Sequence, residues 1–99
     1  MIVISEITLS LDREIYGVED HIFEEGWAAD KIYFIAKGRI VLLQIETHTY
    51  IREIKEGDSV GEAGFFSRLT RCVTARSSTF TELLVLSSKK MDEVLEDHK

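Results

Sequence analysis

The sequence predicts a mainly β domain, an eight-stranded β-roll or jelly-roll barrel with a short helix before the last two strands and a helix at the C-terminal end. Three observations lead there. Short apolar and aromatic runs recur between turn signals, and about eight of them can be counted. Helical periodicity marks the C-terminal end, where Met91, Val94, Leu95 and His98 recur at i, i+3, i+4 and i+7. The chain has 99 residues and 44% hydrophobic content, which suits one small domain with a packed core, here taken as residues 1–99.

In chain order, the first nine residues (MIVISEITL) fit either a short helix or a strand. Leu11 to Tyr16 reads as a strand, Gly17-Val18-Glu19-Asp20 as an acidic turn, and His21-Ile22-Phe23 as a short strand. A loop from Glu25 to Asp30 carries Gly26 and Trp27, and Trp27 is expected to cover one end of the barrel. Lys31 to Ala36 is a buried strand, Lys37-Gly38 a turn, and Arg39 to Glu46 the next strand, with Thr47-His48-Thr49 at a hairpin tip. In the return strand Tyr50, Arg52 and Ile54 share one face and Ile51, Glu53 and Lys55 the other. Neither face is wholly apolar, which fits an edge or the wall of a wet cavity. Glu56-Gly57-Asp58 turns the chain, and Ser59-Val60 leads on. Val73 to Ser77 and Thr81 to Leu86 are the last strands, and Ser87 or Ser88 caps the final helix, whose apolar stripe is expected to dock on the barrel.

Composition excludes several classes. A formal charge of −6 argues against a general nucleic-acid binder. The single cysteine, Cys72, rules out an intrachain disulfide, a four-cysteine iron–sulfur cluster and a cysteine-based zinc site. His21, His48 and His98 are scattered and read as surface or packing residues. No Ser-His-Asp set or paired acids can be placed in a cleft, so no enzyme activity, metal or cofactor is expected. No apolar run is long enough to span a membrane.

The chemistry concentrates in Gly61-Glu62-Ala63-Gly64-Phe65-Phe66-Ser67-Arg68-Leu69-Thr70-Arg71-Cys72-Val73-Thr74. Gly61 and Gly64 permit close backbone approach. A helical turn starting near Glu62 would aim free N–H groups at an anion. Glu62 accepts hydrogen bonds, as from a sugar hydroxyl, and Arg71 presents a fork of donors suited to paired anionic oxygens. Between Glu62 and Glu82 stand Arg68, Arg71 and Arg76 with no acid, a positive island in an acidic chain. These features describe a sugar-phosphate pocket. A structural ion pair between Glu62 and Arg71, or a merely solvated basic loop, is the plainer alternative.

This stretch resembles the phosphate-binding cassette of cyclic nucleotide-binding domains. Ile22 to Gly38, IFEEGWAADKIYFIAKG, resembles that family's first-half signature, and the likeness spans most of the chain. In flavour it is closest to the domains of cyclic nucleotide-regulated cation or potassium channels. The resemblance implies a regulatory module that binds cyclic AMP or cyclic GMP, on the cytoplasmic side of a membrane protein. Its partners would be neighbouring domains or subunits of a larger, tetrameric channel. It implies that Glu62 takes the ribose 2′-hydroxyl, that Arg71 takes the cyclic phosphate, and that Gly61, Ala63, Cys72 and Val73 contribute backbone or near-backbone contacts. Cys72 stands where guanine-preferring relatives carry threonine, so cyclic AMP is expected to bind at least as well as cyclic GMP, although simple packing also explains a small thiol.

Leu42, Arg52 and Ile54 map onto base-facing positions. Leu42 and Ile54 equally fit an ordinary core, and Arg52, where an apolar residue is usual, either stacks on a purine or reaches solvent. Ala29 replaces a second loop glycine of the pattern. The lid helix that covers the base in the family is expected to be incomplete by Lys99. A degenerate domain of the same fold, serving as an interaction surface without ligand, is the rival reading.

Overall fold

The computed structural model describes residues 11–62, 65 and 70–96. Eight strands appear in the predicted order: β1 (Asp12–Tyr16), β2 (His21–Phe23), β3 (Lys31–Lys37), β4 (Arg39–Gln44), β5 (Thr49–Lys55), β6 (Ser59–Val60), β7 (Thr74–Ser77) and β8 (Thr81–Ser87). One helix, α1 (Ser88–Glu96), follows. The strands form two four-stranded sheets, β1-β8-β3-β6 and β2-β7-β4-β5, with every pairing antiparallel. Among the described residues the two sheets do not close on each other by strand pairing, so the roll is open rather than a sealed barrel. The first nine residues, the cassette helix and His98 lie wholly or largely outside the described residues.

Period-2 alternation builds the interior. Tyr33 and Ile35 of β3 face Val85 and Leu83 of β8 in register, and all four are buried. Ile22 and Phe23 of β2, Ile40 of β4 and Ala75 of β7 meet them from the second sheet. The rings of Phe23 and Tyr33 stack across the interior with centroids 5.9 Å apart.

The turns follow their residues. Gly17 donates its N–H to Asp20 Oδ2 at 2.7 Å, closing the acidic turn. At the β3–β4 turn Gly38 has φ +95, and a Cβ there would lie 2.4 Å from the Phe80 carbonyl oxygen, so no side chain fits. Lys90 N–H donates to Ser87 Oγ at 3.1 Å, which makes Ser87 the cap of α1.

Three expectations change. The fourth strand ends at Gln44, two residues early, and the hairpin tip starts there, with His48 at φ 53. The alternation in β5 breaks at a bulge: Arg52 pairs with Leu42 but Tyr50 pairs with Leu43, leaving Ile51 as the extra residue. Tyr50 therefore does not continue the row of Arg52 and Ile54. Of the described residues of the apolar stripe in α1, Val94 is buried, Met91 is half-buried, and Leu95 is 47% exposed. The helix packs back on β8 through a narrower face than its sequence suggests.

Candidate functional site

A cavity of about 360 Å³ opens between the two sheets, within the usual size range of small-molecule pockets. Eight of the nine residues singled out from sequence line it: Gly61, Glu62, Arg71, Cys72 and Val73 at one end, and Leu42, Arg52 and Ile54 on the β4–β5 wall. The ninth, Ala63, lies outside the described residues. Residues brought together from β4, β5 and the segment around β6 thus share one space, as the pocket reading requires.

Arg71 is the centre of the first end. It is 5% exposed. Its Nη1 donates to the Gly61 carbonyl and its Nη2 to the Lys31 carbonyl, each at 2.6 Å. Its backbone is pinned as well, because Gly26 N–H donates to Arg71 O at 2.9 Å and Arg71 N–H donates to Trp27 O at 2.7 Å. The guanidinium lies over the Phe23 ring, 4.3 Å from its centroid. The buried Nε has no hydrogen-bond partner among the described residues. Gly61 is part of this geometry: at φ +96, a Cβ on it would sit 3.0 Å from Arg71 Nη1 and 3.0 Å from the Lys31 oxygen. Only glycine allows the backbone to come so close.

Electrostatics follow from the burial. Desolvation holds the Arg71 guanidinium below the ordinary arginine value, opposed by nearby Tyr33, Asp30 and Glu62. Burial, reinforced by the charge of Glu14 and opposed by Arg71, pushes the Tyr33 phenol from 10.0 up to about 12. Among the described residues Arg71 forms no ion pair with a carboxylate: its partners are neutral carbonyls and a ring. The structural ion pair with Glu62 is not formed. Glu62 is exposed, and its Oε1 instead accepts a hydrogen bond from Ser59 Oγ, which also lines the cavity.

Arg76 sits half-buried on β7, away from the cavity lining, and Arg68 lies outside the described residues. Of the two described arginines of that island, Arg71 lines the cavity and Arg76 does not.

On the opposite wall Ile54 is fully buried and Leu42 half-buried against the core, so both serve as core and cavity wall at once. Arg52 is exposed and lines the cavity. Cys72 is an exposed free thiol at the rim. Trp27 is 50% exposed, and its backbone carbonyl accepts from the Arg71 N–H.

Sequence reasoning missed Phe23 and Ser59. The spacing Ser59-x-x-Glu62 was an available signal for a serine–glutamate contact. Nothing local to Phe23 marks it as the platform for Arg71. Among the described residues no group of three His, Cys, Asp or Glu stands together as a metal site, and no helix is long and apolar enough to cross a membrane.

An arginine buried behind a tight glycine, a carboxylate beside it and an apolar wall opposite agree with the sequence profile that matches residues 13–98, described as the cyclic nucleotide-binding domain. The chain belongs to the cyclic nucleotide-binding domain family. Its curated relatives include the human potassium/sodium hyperpolarization-activated cyclic nucleotide-gated channel 4, 29% identical over 96 residues. Channel 2 of the same type, also human, is 27% identical over 95 residues. Each alignment takes in 96% of this chain but only 8% and 10% of the respective channel. This cyclic nucleotide-binding domain therefore spans about a tenth or less of those two proteins' length.

Among solved structures, a cyclic nucleotide-binding-like protein from Brucella abortus superposes with a TM-score of 0.84 at 25% identity, covering 96% of this chain and 84% of that one. The N-terminal domain of a transcriptional regulator from Streptomyces coelicolor has a TM-score of 0.86 at 20% identity, covering 97% of this chain and 71% of that one, and shares the fold.

Proposed function

We propose that this domain is a regulatory module that binds a cyclic purine nucleotide and works by switching rather than by catalysis. One observation carries the reading: Arg71 is a buried cation with no carboxylate partner among the described residues, and it lines a largely apolar cavity. A buried charge without an opposite charge is unfavourable, and an incoming anion relieves it. The cyclic phosphate is that anion, reached by Arg71. The Gly61 backbone admits it, and Glu62 accepts the ribose 2′-hydroxyl. The purine lies along Leu42, Ile54 and Val73.

The channel relatives support a further step: the module is the cytoplasmic sensor of a cation channel, working against neighbouring domains or subunits. In the switch, phosphate binding at Gly61 and Arg71 shifts the population of the domain's conformations, and an attached effector follows. No metal or cofactor takes part. A second reading has one observation in its favour. Two of the three guanidinium nitrogens of Arg71 already serve backbone carbonyls, as they would in a ligand-free interaction module. Thermal denaturation with cyclic AMP, cyclic GMP and 5′-AMP separates the two. A rise in Tm with either cyclic nucleotide, exceeding that with 5′-AMP, is expected; no rise with any of them establishes the ligand-free module.

A further inference from the structure

Where the β2–β3 loop meets the β4–β5 hairpin tip, the surface carries large apolar side chains that neither the core nor the cavity uses. Trp27 is 50% exposed, Ile45 43%, Tyr50 60% and Ile51 43%, and none of the four lines the cavity. Hydrogen bonds join the two segments: Ile45 N–H donates to Glu25 Oε1 and Glu25 N–H to Thr74 Oγ1, each at 3.3 Å. Thr74 and Tyr50 both pair with Leu43, from either side of β4. Trp27 is held by its own backbone, which donates to Glu24 O at 3.1 Å and accepts from Arg71 N–H at 2.7 Å. Its ring is thus half open to solvent on an anchored main chain. An aromatic side chain presented in this way loses little conformational freedom on binding, which is the property of an interface anchor. The charge around it has one sign. Residues 24–30 and 44–50 carry Glu24, Glu25, Asp30 and Glu46, and no lysine or arginine. Glu25, Asp30 and Glu46 are exposed. The other end of the same sheet differs, since Arg39 there pairs with Lys55.

We infer that this surface docks a basic amphipathic helix of a partner protein, with Trp27 as the anchor. The apolar face of such a helix covers Trp27, Ile45 and Tyr50, and the lysines or arginines that flank it meet Glu25 and Glu46. Charge complementarity selects the partner's sign, because an acidic helix would be repelled by the same carboxylates. β5 is an edge strand, but its bulge at Ile51 bends the edge that an added strand would pair with. Side chains, and not strand addition, therefore carry the contact. The inference does not depend on what occupies the cavity.

Trp27 is the single tryptophan, so its emission reports the contact directly. The probe is a synthetic helix with leucine on one face and lysine on the other, compared with the same helix carrying glutamate in place of lysine. Titration of the protein with the lysine helix should shift the Trp27 emission to the blue, and the glutamate helix should not. In calorimetry, Trp27→Ser should weaken binding of the lysine helix by about tenfold or more, the loss of one anchor. Tyr50→Ser, on the other segment, should weaken it as well, and decides the matter should Trp27→Ser not fold. Phe80→Ser removes an equally exposed ring from the β7–β8 turn and should leave the affinity unchanged. Lysine-helix binding that survives Trp27→Ser and Tyr50→Ser, or that Phe80→Ser weakens as much, is general attraction of a cation to an acidic chain and overturns the inference. So does a glutamate helix that binds as tightly, or a lysine helix that does not bind at all.

Discussion

Arg71 and Arg52 line the same cavity and are held in opposite ways. Arg71 is enclosed: carbonyls from two segments hold its guanidinium, a ring lies beneath it, and its own backbone is tied to the Gly26–Trp27 loop. Arg52 stands on an edge strand, exposed and without a partner among the described residues. The first arginine belongs to the fold as much as to the site, so changing it must disturb both. The second can change while the fold stays as it is. The cavity thus has a rigid end around Arg71 and a loose one at Arg52.

The largest effect that would test this contrast is expected from Arg71→Ala. It orphans the Gly61 and Lys31 carbonyls and removes the group over Phe23, so stability should fall by about 3 kcal/mol in urea unfolding. Cyclic nucleotide affinity should fall by a further 2–4 kcal/mol, roughly, measured where the variant remains folded. An Arg71→Ala protein as stable as wild type would show that the enclosure is not structural.

Gly61→Ala tests whether the enclosure depends on close backbone approach. Gly61 and Gly57 have similar positive φ values, +96 and +88, but a Cβ on Gly57 meets open space while one on Gly61 meets Arg71 and Lys31. Gly57→Ala carries only the backbone penalty, about 1 kcal/mol. Gly61→Ala should lose about 2 kcal/mol or more and weaken nucleotide binding too. Equal losses would mean that the neighbours move aside freely.

What could be read in advance follows the same division. The strands and turns were legible because period-2 runs and glycine turns are local signals. Gly61, Glu62 and Arg71 were legible because they stand in one short stretch. The platform under Arg71 was not, since Phe23 reaches it from the other half of the chain by folding. Nor was the bulge at Ile51, since register depends on the partner strand and not on β5 alone. The exposure of Leu95 was hidden for a related reason: periodicity marks an apolar face but not how wide a face the sheet covers.

A smaller effect is expected at Glu62, which lies between the two regimes, exposed but tied to Ser59. If its carboxylate accepts the ribose 2′-hydroxyl, 2′-deoxy cyclic GMP should bind wild type about 1 kcal/mol more weakly than cyclic GMP. In Glu62→Gln that penalty should shrink, with little change in unfolding free energy. Ribo and deoxy ligands of equal affinity in wild type would remove the role.

The smallest effect is expected for the stability of Arg52→Met. The arginine lies on an inward-facing row but leaves no orphan when removed, because nothing among the described residues hydrogen-bonds to it. Methionine keeps an unbranched stem against Leu42 and takes a charge off the interior face. Unfolding free energy should stay within about 0.5 kcal/mol of wild type, the usual range for an exposed side chain without partners. A loss above 1 kcal/mol, roughly twice that range, would mean that Arg52 is engaged in the ligand-free protein. The contrast with Arg71 would then fail. With stability unchanged, the two arginines of one cavity differ as their partners do, because the enclosed one holds carbonyls of two segments and the exposed one holds none among the described residues.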